Sequence, residues 1–228
     1  MNKPLVIITG ASSGIGKYLA IAFSDAGYSL GLIARNIKAM EDLNLTDTIC
    51  VSADVTNYVE LSNAINLIES KLGPVDCLIN NAGYAKGGEF TEINHEEHQN
   101  TINVNVIGVM HGIEVALPKM RERKTGTIIN ISSLADRKSR PNLASYAASK
   151  AAVKSLSESL RQDNAKYGIR ISNIAPAKIQ TPMLMTSHLS DDHAIKPEDF
   201  AKAVLWVYEQ PQNICIRDLV FAPTFYEA

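Results

Sequence analysis

Cysteine is scarce in this sequence of 228 residues: Cys50, Cys77 and Cys215 are far apart and form no CxxC pair. Three separated thiols argue against a disulfide framework or a zinc ribbon and indicate reduced side chains. No hydrophobic run approaches the ~18 residues that a membrane-spanning helix needs. The first apolar run, from Leu5 to Ile8, is too short for the hydrophobic part of a signal peptide. We therefore expect a cytoplasmic protein with no membrane partner.

The sequence also lacks a large net charge and a set of metal-binding side chains at the spacing of a known site. The 22 basic and 24 acidic residues give a formal net charge of −2, which provides no bulk attraction to nucleic acid. His95 and His98 are three residues apart, and His188 and His193 are five apart, but no carboxylate or cysteine spacing completes a metal site. No linker, repeat or low-complexity tract interrupts the chain. The sequence predicts one domain over residues 1–228, with no nucleic-acid partner and no metal.

Short β-branched runs alternate with longer amphipathic segments. The predicted strands are Leu5–Thr9, Ser29–Ala34, Thr48–Ala53, Val75–Asn80, Thr127–Ser132, Arg170–Ala175 and Leu219–Ala222. The predicted helices are Ile15–Ala26, Val59–Leu72, His95–Met120, Ala144–Tyr167 and Pro197–Glu209, with a helix of one or two turns within Ile37–Leu43. Such alternation predicts a doubly wound α/β fold, with seven parallel strands and helices on both faces.

A glycine-rich turn follows the first predicted strand and precedes the first helix. The segment Thr9-Gly-Ala-Ser-Ser-Gly-Ile-Gly16 would let the main chain approach a diphosphate, and the helix N-terminus supplies free N–H groups and a positive dipole end. A P-loop is excluded, because Ala11 stands where it needs glycine and Tyr18 where it needs Ser or Thr. The turn predicts a Rossmann-type nucleotide site.

The spacing Thr-Gly-x-x-x-Gly-Ile-Gly resembles the short-chain dehydrogenase/reductase family, in its compact NADP-dependent branch. Three more motifs match in order: Asn80-Asn-Ala-Gly83, Tyr146-Ala-Ala-Ser-Lys150 and the segment from Pro176 to Thr181. The resemblance covers nearly the whole chain. Length and glycine spacing disfavour the longer sugar-nucleotide epimerase branch. The resemblance implies a Rossmann fold and an oxidoreductase that uses NADP(H).

Tyr146 and Lys150 are four residues apart and therefore neighbours on one face of a predicted helix. A free tyrosine with a pKa of ~10 is a poor acid near neutrality. A nearby ammonium favours the phenolate, so we expect the pKa of Tyr146 to fall and proton transfer in either direction to become feasible. The spacing alone would also fit a tyrosine on the core face beside a solvated lysine, but together with the nucleotide turn upstream the pair predicts a general acid/base.

The resemblance adds two catalytic positions. Ser133 would hold the substrate carbonyl oxygen, although the adjacent Ser132 could be the serine meant, since alternation along a strand sends the two side chains to opposite faces. Asn105 matches the family's asparagine through the pattern Asn-x-x-Gly, with Asn103 as a weaker rival. Its implied role is to kink the helix and hold a water that links Lys150 to solvent.

Arg35 follows the second predicted strand, directly after the position at which an acidic residue would select NAD. Arg35 would accommodate the 2′-phosphate of NADP through its planar guanidinium, and the position of the acidic residue is taken by Ala34. With the catalytic pair, the cofactor contacts implied by the resemblance are Gly10, Ser12, Ser13, Gly14, Ile15, Gly16, Arg35, Asp54, Val55, Asn81, Ala82, Gly83, Tyr146, Lys150, Pro176, Ile179 and Thr181. Alanine at position 177, where the family has glycine, narrows the expected nicotinamide pocket.

Residues 177–195 form the longest predicted irregular stretch, and we expect them to act as a lid, with Met183-Leu-Met185 as an apolar wall. The basic run Arg137-Lys-Ser-Arg140 is either a solvated loop or an attractor for an anionic substrate. The tail Ile216–Thr224 is similar to family members that are 3-hydroxy-acid or serine dehydrogenases.

The expected function is therefore interconversion of a small carbonyl compound and a secondary alcohol by hydride transfer with NADP(H). The alternative is an NADP(H)-binding sensor or scaffold without turnover, although such a module would not need Asn105, Ser133, Tyr146 and Lys150 together. The resemblance implies a homotetramer, or a dimer, assembled through the helices spanning Asn105–Lys119 and Ala144–Tyr167.

Overall fold

The computed structural model describes residues 3–185 and 193–226, and a parallel sheet of seven strands forms its centre. The strands are β1 (Leu5–Thr9), β2 (Ser29–Ala34), β3 (Thr48–Ser52), β4 (Val75–Asn80), β5 (Gly126–Ile131), β6 (Ile169–Pro176) and β7 (Asp218–Phe221). Their spatial order is β3-β2-β1-β4-β5-β6-β7, and every neighbouring pair is parallel. The predicted doubly wound α/β fold is confirmed.

Helices cover both faces of the sheet. They are α1 (Gly14–Asp25), α2 (Ile37–Glu41), α3 (Tyr58–Leu72), α4 (His95–Ile102), α5 (Gly108–Arg123), α6 (Ala144–Asn164), α7 (Pro182–Met185) and α8 (Pro197–Glu209). Strand alternation divides the core in two: Leu5 and Ile7 pack towards α3, α5 and α6, whereas Val6 and Ile8 pack towards α1, α2 and α8. All five residues of β1 are buried, as expected for a strand covered on both sides. Within the described residues, no helix is long and apolar enough to cross a membrane.

The predicted continuous helix His95–Met120 is wrong. A π-helical turn, Asn103–Ile107, separates α4 from α5. Such turns insert an extra residue and are often found at functional sites. Here the inserted turn directs the side chain of Asn105 into the interior, where three polar partners bind it. The helical periodicity of the sequence continues across this turn and gave no sign of the break, whereas the resemblance implied a kink at Asn105.

The chain reverses its direction of winding between β1 and β4. After β3 it crosses from one edge of the sheet to the other side of β1, so the segments that follow β1 and β4 diverge. In open parallel sheets, ligands bind in the crevice at the carboxyl ends of the strands, at this kind of switch point. The segments after β1, β2, β3, β4, β5 and β6 carry the candidate site residues.

Candidate active site

The glycine turn after β1 allows a close approach between two main-chain segments. Gly10 has φ +67°, and a Cβ on it would lie 2.7 Å from Cα of Ala82. A Cβ on Gly16 would lie 2.2 Å from the carbonyl oxygen of Gly10. The Asn81 side chain donates to the carbonyl oxygens of Thr9 and Gly10, at 3.0 and 3.2 Å, and so ties the loop after β4 to this turn.

Replacing Gly16 by Ala is therefore expected to lower the free energy of unfolding by about 2 kcal/mol, because main-chain atoms must move to admit the methyl group. Thermal or urea unfolding would measure the change. Gly87→Ala is the matched control, since its added Cβ would make ordinary contacts of 3.5 and 3.6 Å. Equal stability of the two variants would contradict the close approach.

A cleft of about 410 Å³ opens at the switch point. Most of the predicted cofactor contacts line it: Gly10, Ser12, Ser13, Gly14, Ile15, Arg35, Asp54, Val55, Asn81, Ala82, Gly83, Tyr146, Lys150 and Thr181. The remaining predicted site residues are not part of its lining: Gly16, Asn105, Ser133, Pro176 and Ile179. Helix α1 begins at this cleft, and the side chain of its N-cap Ser13 makes no capping bond within the described residues. With no acidic residue in the first turn, the positive end of the helix remains uncompensated by a carboxylate there.

Tyr146 and Lys150 lie one helical turn apart at the start of α6, and both line the cleft. The Lys150 Nζ is 5.7 Å from the centroid of the Tyr146 ring. It donates a hydrogen bond of 2.9 Å to the carbonyl oxygen of Ile131, the last residue of β5. Lys150 is 5% exposed, so its ammonium is held among protein atoms beside the phenol.

The expected fall in the pKa of Tyr146 is wrong for this arrangement. Burial raises the pKa of Tyr146, a hydrogen bond with Ser133 lowers it, and the charge of Asp136 raises it again. Burial also lowers the pKa of Lys150 to about 8, with Asp136 acting in the opposite direction. As the pH rises, Lys150 therefore loses its proton before Tyr146 would, so its charge can stabilise an ionising phenol only below about pH 8. At neutral pH the site holds a protonated phenol beside an ammonium.

The lowered pKa of Lys150 makes stability depend on pH. Between about pH 8 and the ordinary lysine value of 10.5, the unfolded chain keeps a proton that the folded chain has lost. The contribution of Lys150 to the free energy of unfolding should therefore rise with pH across this window, since the unfolded state binds more protons. Urea unfolding at a series of pH values should show this rise in the parent chain and a smaller one in Lys150→Met. Parallel curves for the two chains would rule out a depressed pKa.

The structure separates the two adjacent serines. Ser132 is buried, and its hydroxyl donates to Oδ2 of Asp136 at 3.0 Å. Ser133 is half-buried, caps the short 3-10 turn Leu134–Asp136 by accepting from the Ala135 N–H at 3.2 Å, and forms a hydrogen bond with Tyr146. Ser132 lines the cleft and Ser133 does not, but Ser133 is the serine that is hydrogen-bonded to the phenol, and this contact favours Ser133.

Asn105 connects three parts of the site. Its Oδ1 accepts from the Tyr84 N–H at 2.7 Å, and its Nδ2 donates to the Tyr84 carbonyl oxygen and to the Ser149 hydroxyl at 2.8 and 2.9 Å. The loop after β4, the π-helical turn and α6 are thus joined by one fully buried amide. Asn103, the rival, is exposed and lines an outer groove instead. These contacts favour Asn105.

Arg35 lies at the rim of the cleft, with its side chain 82% exposed. Its Nη1 is 4.0 Å from Oδ2 of Asp54, an exposed pair that contributes little to stability. Asp54 itself is held by the Thr56 N–H and hydroxyl, which donate to its Oδ1 at 2.9 and 2.8 Å. The Arg35 guanidinium is therefore accessible to a ligand at the rim of the cleft, with the fixed Asp54 carboxylate beside it.

The stretch predicted to be an irregular lid contains regular structure at both ends. Ile179 forms a parallel bridge with Ile195, and α7 begins at Pro182. The Thr181 hydroxyl donates to the Ile179 carbonyl oxygen at 3.4 Å. Residues 186–192, including His188, lie outside the described residues.

The basic run after β5 does not offer Arg137 to an anionic substrate, so that alternative is wrong for this residue. Its guanidinium binds Asp136 through Nε at 2.5 Å and Asp218 through Nη1 and Nη2 at 2.8 and 2.6 Å. Two carboxylates raise its pKa and compensate its charge. Arg140 of the same run packs over the ring of Tyr226, with 4.7 Å from Cζ to the ring centroid.

Sequence reasoning missed Thr9 and Asp136. The Thr9 hydroxyl accepts from the N–H groups of Asn81 and Ala82 at 3.1 and 3.2 Å, which fixes the loop after β4. A polar residue at the end of an otherwise apolar strand was the available signal for Thr9. Asp136 gave no such signal, because an acidic residue in a loop is ordinarily solvated.

Comparisons with known proteins agree with this fold. The family model for short chain dehydrogenase matches residues 4–192. An uncharacterized oxidoreductase of Staphylococcus aureus strain MW2 is 30% identical over 227 residues, covering 98% of each chain. The closed form of a serine dehydrogenase complexed with NADP+ superimposes with a TM-score of 0.92 at 26% identity, over 98% of this chain and 96% of that one. A 3-ketoacyl-(acyl-carrier-protein) reductase from Brucella melitensis complexed with NADH superimposes with a TM-score of 0.91 at 28% sequence identity, over 97% of each chain. The family model covers most of the chain, and the chain belongs to the short-chain dehydrogenase family of oxidoreductases.

Proposed function

We propose that this oxidoreductase interconverts a small carbonyl compound and a secondary alcohol with NADP(H), with Tyr146 as the general acid/base. The observation that carries the proposal is that Tyr146 and Lys150 line the cleft beside the glycine turn, with Ser133 hydrogen-bonded to Tyr146. We further propose that residues 1–228 act as one domain and that the protein is cytoplasmic.

The proposed mechanism in the reducing direction begins with a protonated Tyr146. The Ser133 hydroxyl, hydrogen-bonded to the phenol, would also hold the substrate carbonyl oxygen. Tyr146 donates its proton to that oxygen as the carbonyl carbon is reduced, and negative charge develops on the phenol. Lys150, largely protonated below pH 8, stabilises this charge from the next turn of the helix. In the oxidising direction Tyr146 removes the alcohol proton.

The residues present fit a dinucleotide. Gly10 and Gly14 line the cleft without a side chain that would obstruct it, and the uncompensated N-terminus of α1 beside them suits a diphosphate. Gly14 and Thr181 lie close together across the cleft, since a Cβ on Gly14 would be 3.5 Å from Cβ of Thr181. When bound, the nicotinamide supplies or accepts the hydride. Asp54 and Val55 would contact the adenine, Lys150 the ribose, and Thr181 with the main chain at Pro176 and Ile179 the carboxamide.

The preference for NADP rests on Arg35. One similar structure contains NADP+ and another NADH, so the family alone leaves the choice open. An exposed guanidinium at the end of β2, with alanine at the position of the acidic residue, supports recognition of a 2′-phosphate.

A substrate panel tests the proposed function. NADPH absorbance should fall in the presence of at least one member of a panel of aldehydes, ketones and 3-oxo acids, and NADP+ should be reduced by the matching alcohol or 3-hydroxy acid. Serine belongs in the panel because one similar structure is a serine dehydrogenase. Tight NADPH binding without turnover of any member would instead favour a sensor or scaffold.

We also propose a homotetramer assembled through α5 and α6. Ala148, Ala151 and Ala152 are exposed along one side of α6, where small side chains permit close helix packing. An apolar groove of about 500 Å³ continues this surface, between Phe90 and Ile102 on one side and Ala144 on the other. Light scattering coupled to size exclusion should give four times the 24.8 kDa chain mass, and a monomer would contradict this assembly.

A further inference from the structure

Asp136 is a fully buried carboxylate directly behind the candidate active site. It lies three residues after Ser133, at the end of the 3-10 turn that follows β5. Its side chain is 0% exposed. Taking a carboxylate out of water is unfavourable unless it is paired and hydrogen-bonded. A buried charge at this place therefore needs partners, and the structure supplies them from several elements.

Four groups bind the Asp136 carboxylate and its main chain. Its Oδ2 accepts from the Ser132 hydroxyl at 3.0 Å and from the Asn173 amide at 2.9 Å. Its Oδ1 accepts from Nε of Arg137 at 2.5 Å. Its N–H donates to the Ser133 carbonyl oxygen at 2.9 Å. The residue thus fixes both serines of the segment that carries the candidate catalytic serine.

The same contacts reach the helix that carries the tyrosine. The Ser132 hydroxyl, while donating to Asp136, lies 3.4 Å from the carbonyl oxygen of Lys150. The 3-10 turn packs closely against α6. Asp136 therefore connects the end of β5 with the turn of α6 on which Tyr146 and Lys150 lie.

The charges around Asp136 are distributed unequally. Arg137 compensates it on the outer side, but Arg137 also binds Asp218 on β7, and Lys154 on α6 is 3.7 Å from that second carboxylate. Its charge also acts on Tyr146 and Lys150, both on α6, and raises the pKa of both groups. Asn173 on β6 contributes a neutral amide to both carboxylates.

We propose that Asp136 is a positioning residue: it fixes the Ser132 hydroxyl so that Ser133 stays beside Tyr146, and it places a negative charge behind the Tyr146–Lys150 pair. This inference rests on the proposed function, because it assigns Asp136 a role in the same proton transfer. Asp136 touches neither the substrate nor the cofactor in this role and acts through Ser132, Ser133 and Lys150.

The electrostatic half is tested by titrating Lys150 in the cofactor-free protein. The chain is labelled with carbon-13 at lysine Cε, and the Lys150 resonance is assigned by its loss in Lys150→Met. Its midpoint, near pH 8 in the parent, should move to lower pH in Asp136→Asn, because a charge that favours the ammonium is removed. Asp218→Asn is the matched control: it also removes a carboxylate from Arg137 but has no bond to Ser132, so the midpoint should stay. An unchanged midpoint in Asp136→Asn overturns this half.

The positioning half is tested by kinetics on the best substrate of the panel. Asp136→Asn and Ser132→Ala should each lower kcat by about tenfold, since small displacements of reacting groups are costly, while the Kd for NADPH stays unchanged. Only Asp136→Asn should also shift the pH profile. Should Asp136→Asn fail to fold, Ser132→Ala decides, and a parental kcat in that variant overturns the proposal. The Lys150 titration needs no substrate, so it tests the role of Asp136 even if the proposed reaction is wrong. An error in the proposed reaction would be detected separately, as full activity in Tyr146→Phe.

Discussion

Tyr146→Phe should bind NADPH with parental affinity and lose about a thousandfold in kcat. General acid catalysis contributes ~10²–10⁴-fold, and the variant removes the hydroxyl while keeping the ring. The remaining partners of the site do not depend on that hydroxyl: Lys150 donates to the Ile131 carbonyl oxygen, and Ser133 still caps its turn. NADPH affinity is measured by fluorescence titration, and kcat by NADPH absorbance with the best substrate of the panel.

Tyr58→Phe is the matched control for this loss. It also removes one phenolic hydroxyl, but Tyr58 is 44% exposed at the start of α3 and is not part of the cleft lining. It should keep the parental kcat. Full activity in Tyr146→Phe would remove the general acid from the proposed mechanism and leave the fold assignment untouched.

Apolar periodicity was sufficient to predict the sheet. Strands such as Leu5–Thr9 and Ser29–Ala34 are buried on both faces, so all their residues except Thr9 and Ser29 at the ends are non-polar, and they stand out from the amphipathic helices between them. The order of the motifs then predicted which loops meet, because parallel strands bring their carboxyl ends to one edge. For this reason Tyr146 and Gly10, 136 residues apart, could be assigned to one cleft from the sequence alone.

The electrostatics of the site could not be predicted in the same way. The Tyr146-x-x-x-Lys150 spacing gives the distance between two side chains but not how deeply they are buried, and burial is the largest influence on both pKa values. Asp136 and Asp218 are 82 residues apart and share Arg137 only because β7 lies next to β6 in the sheet. The π-helical turn around Asn105 depends equally on a tertiary contact, with the main chain of Tyr84.

Arg35→Ala should reverse the preference between the two nicotinamide cofactors. A hydrogen bond to a charged group contributes ~1.5–3 kcal/mol, so kcat/KM with NADPH should fall roughly tenfold to a hundredfold. NADH has no 2′-phosphate and makes no use of the guanidinium, so its kcat/KM should stay constant or rise. The rise is expected because Asp54, 4.0 Å from Arg35, would then be uncompensated beside a ribose whose hydroxyl groups can donate to it.

The comparison with Lys38→Ala separates recognition from bulk charge. Both variants lower the net charge from −2 to −3, but Lys38 lies on α2 and is not part of the cleft lining. Long-range attraction of the more highly charged NADPH would be weakened equally in both and would disappear at high salt. A direct contact between Arg35 and a 2′-phosphate predicts a large effect in Arg35→Ala alone, in KM more than in kcat. If the parent chain already prefers NADH, or if Arg35→Ala keeps its NADPH preference, the end of β2 does not select the cofactor.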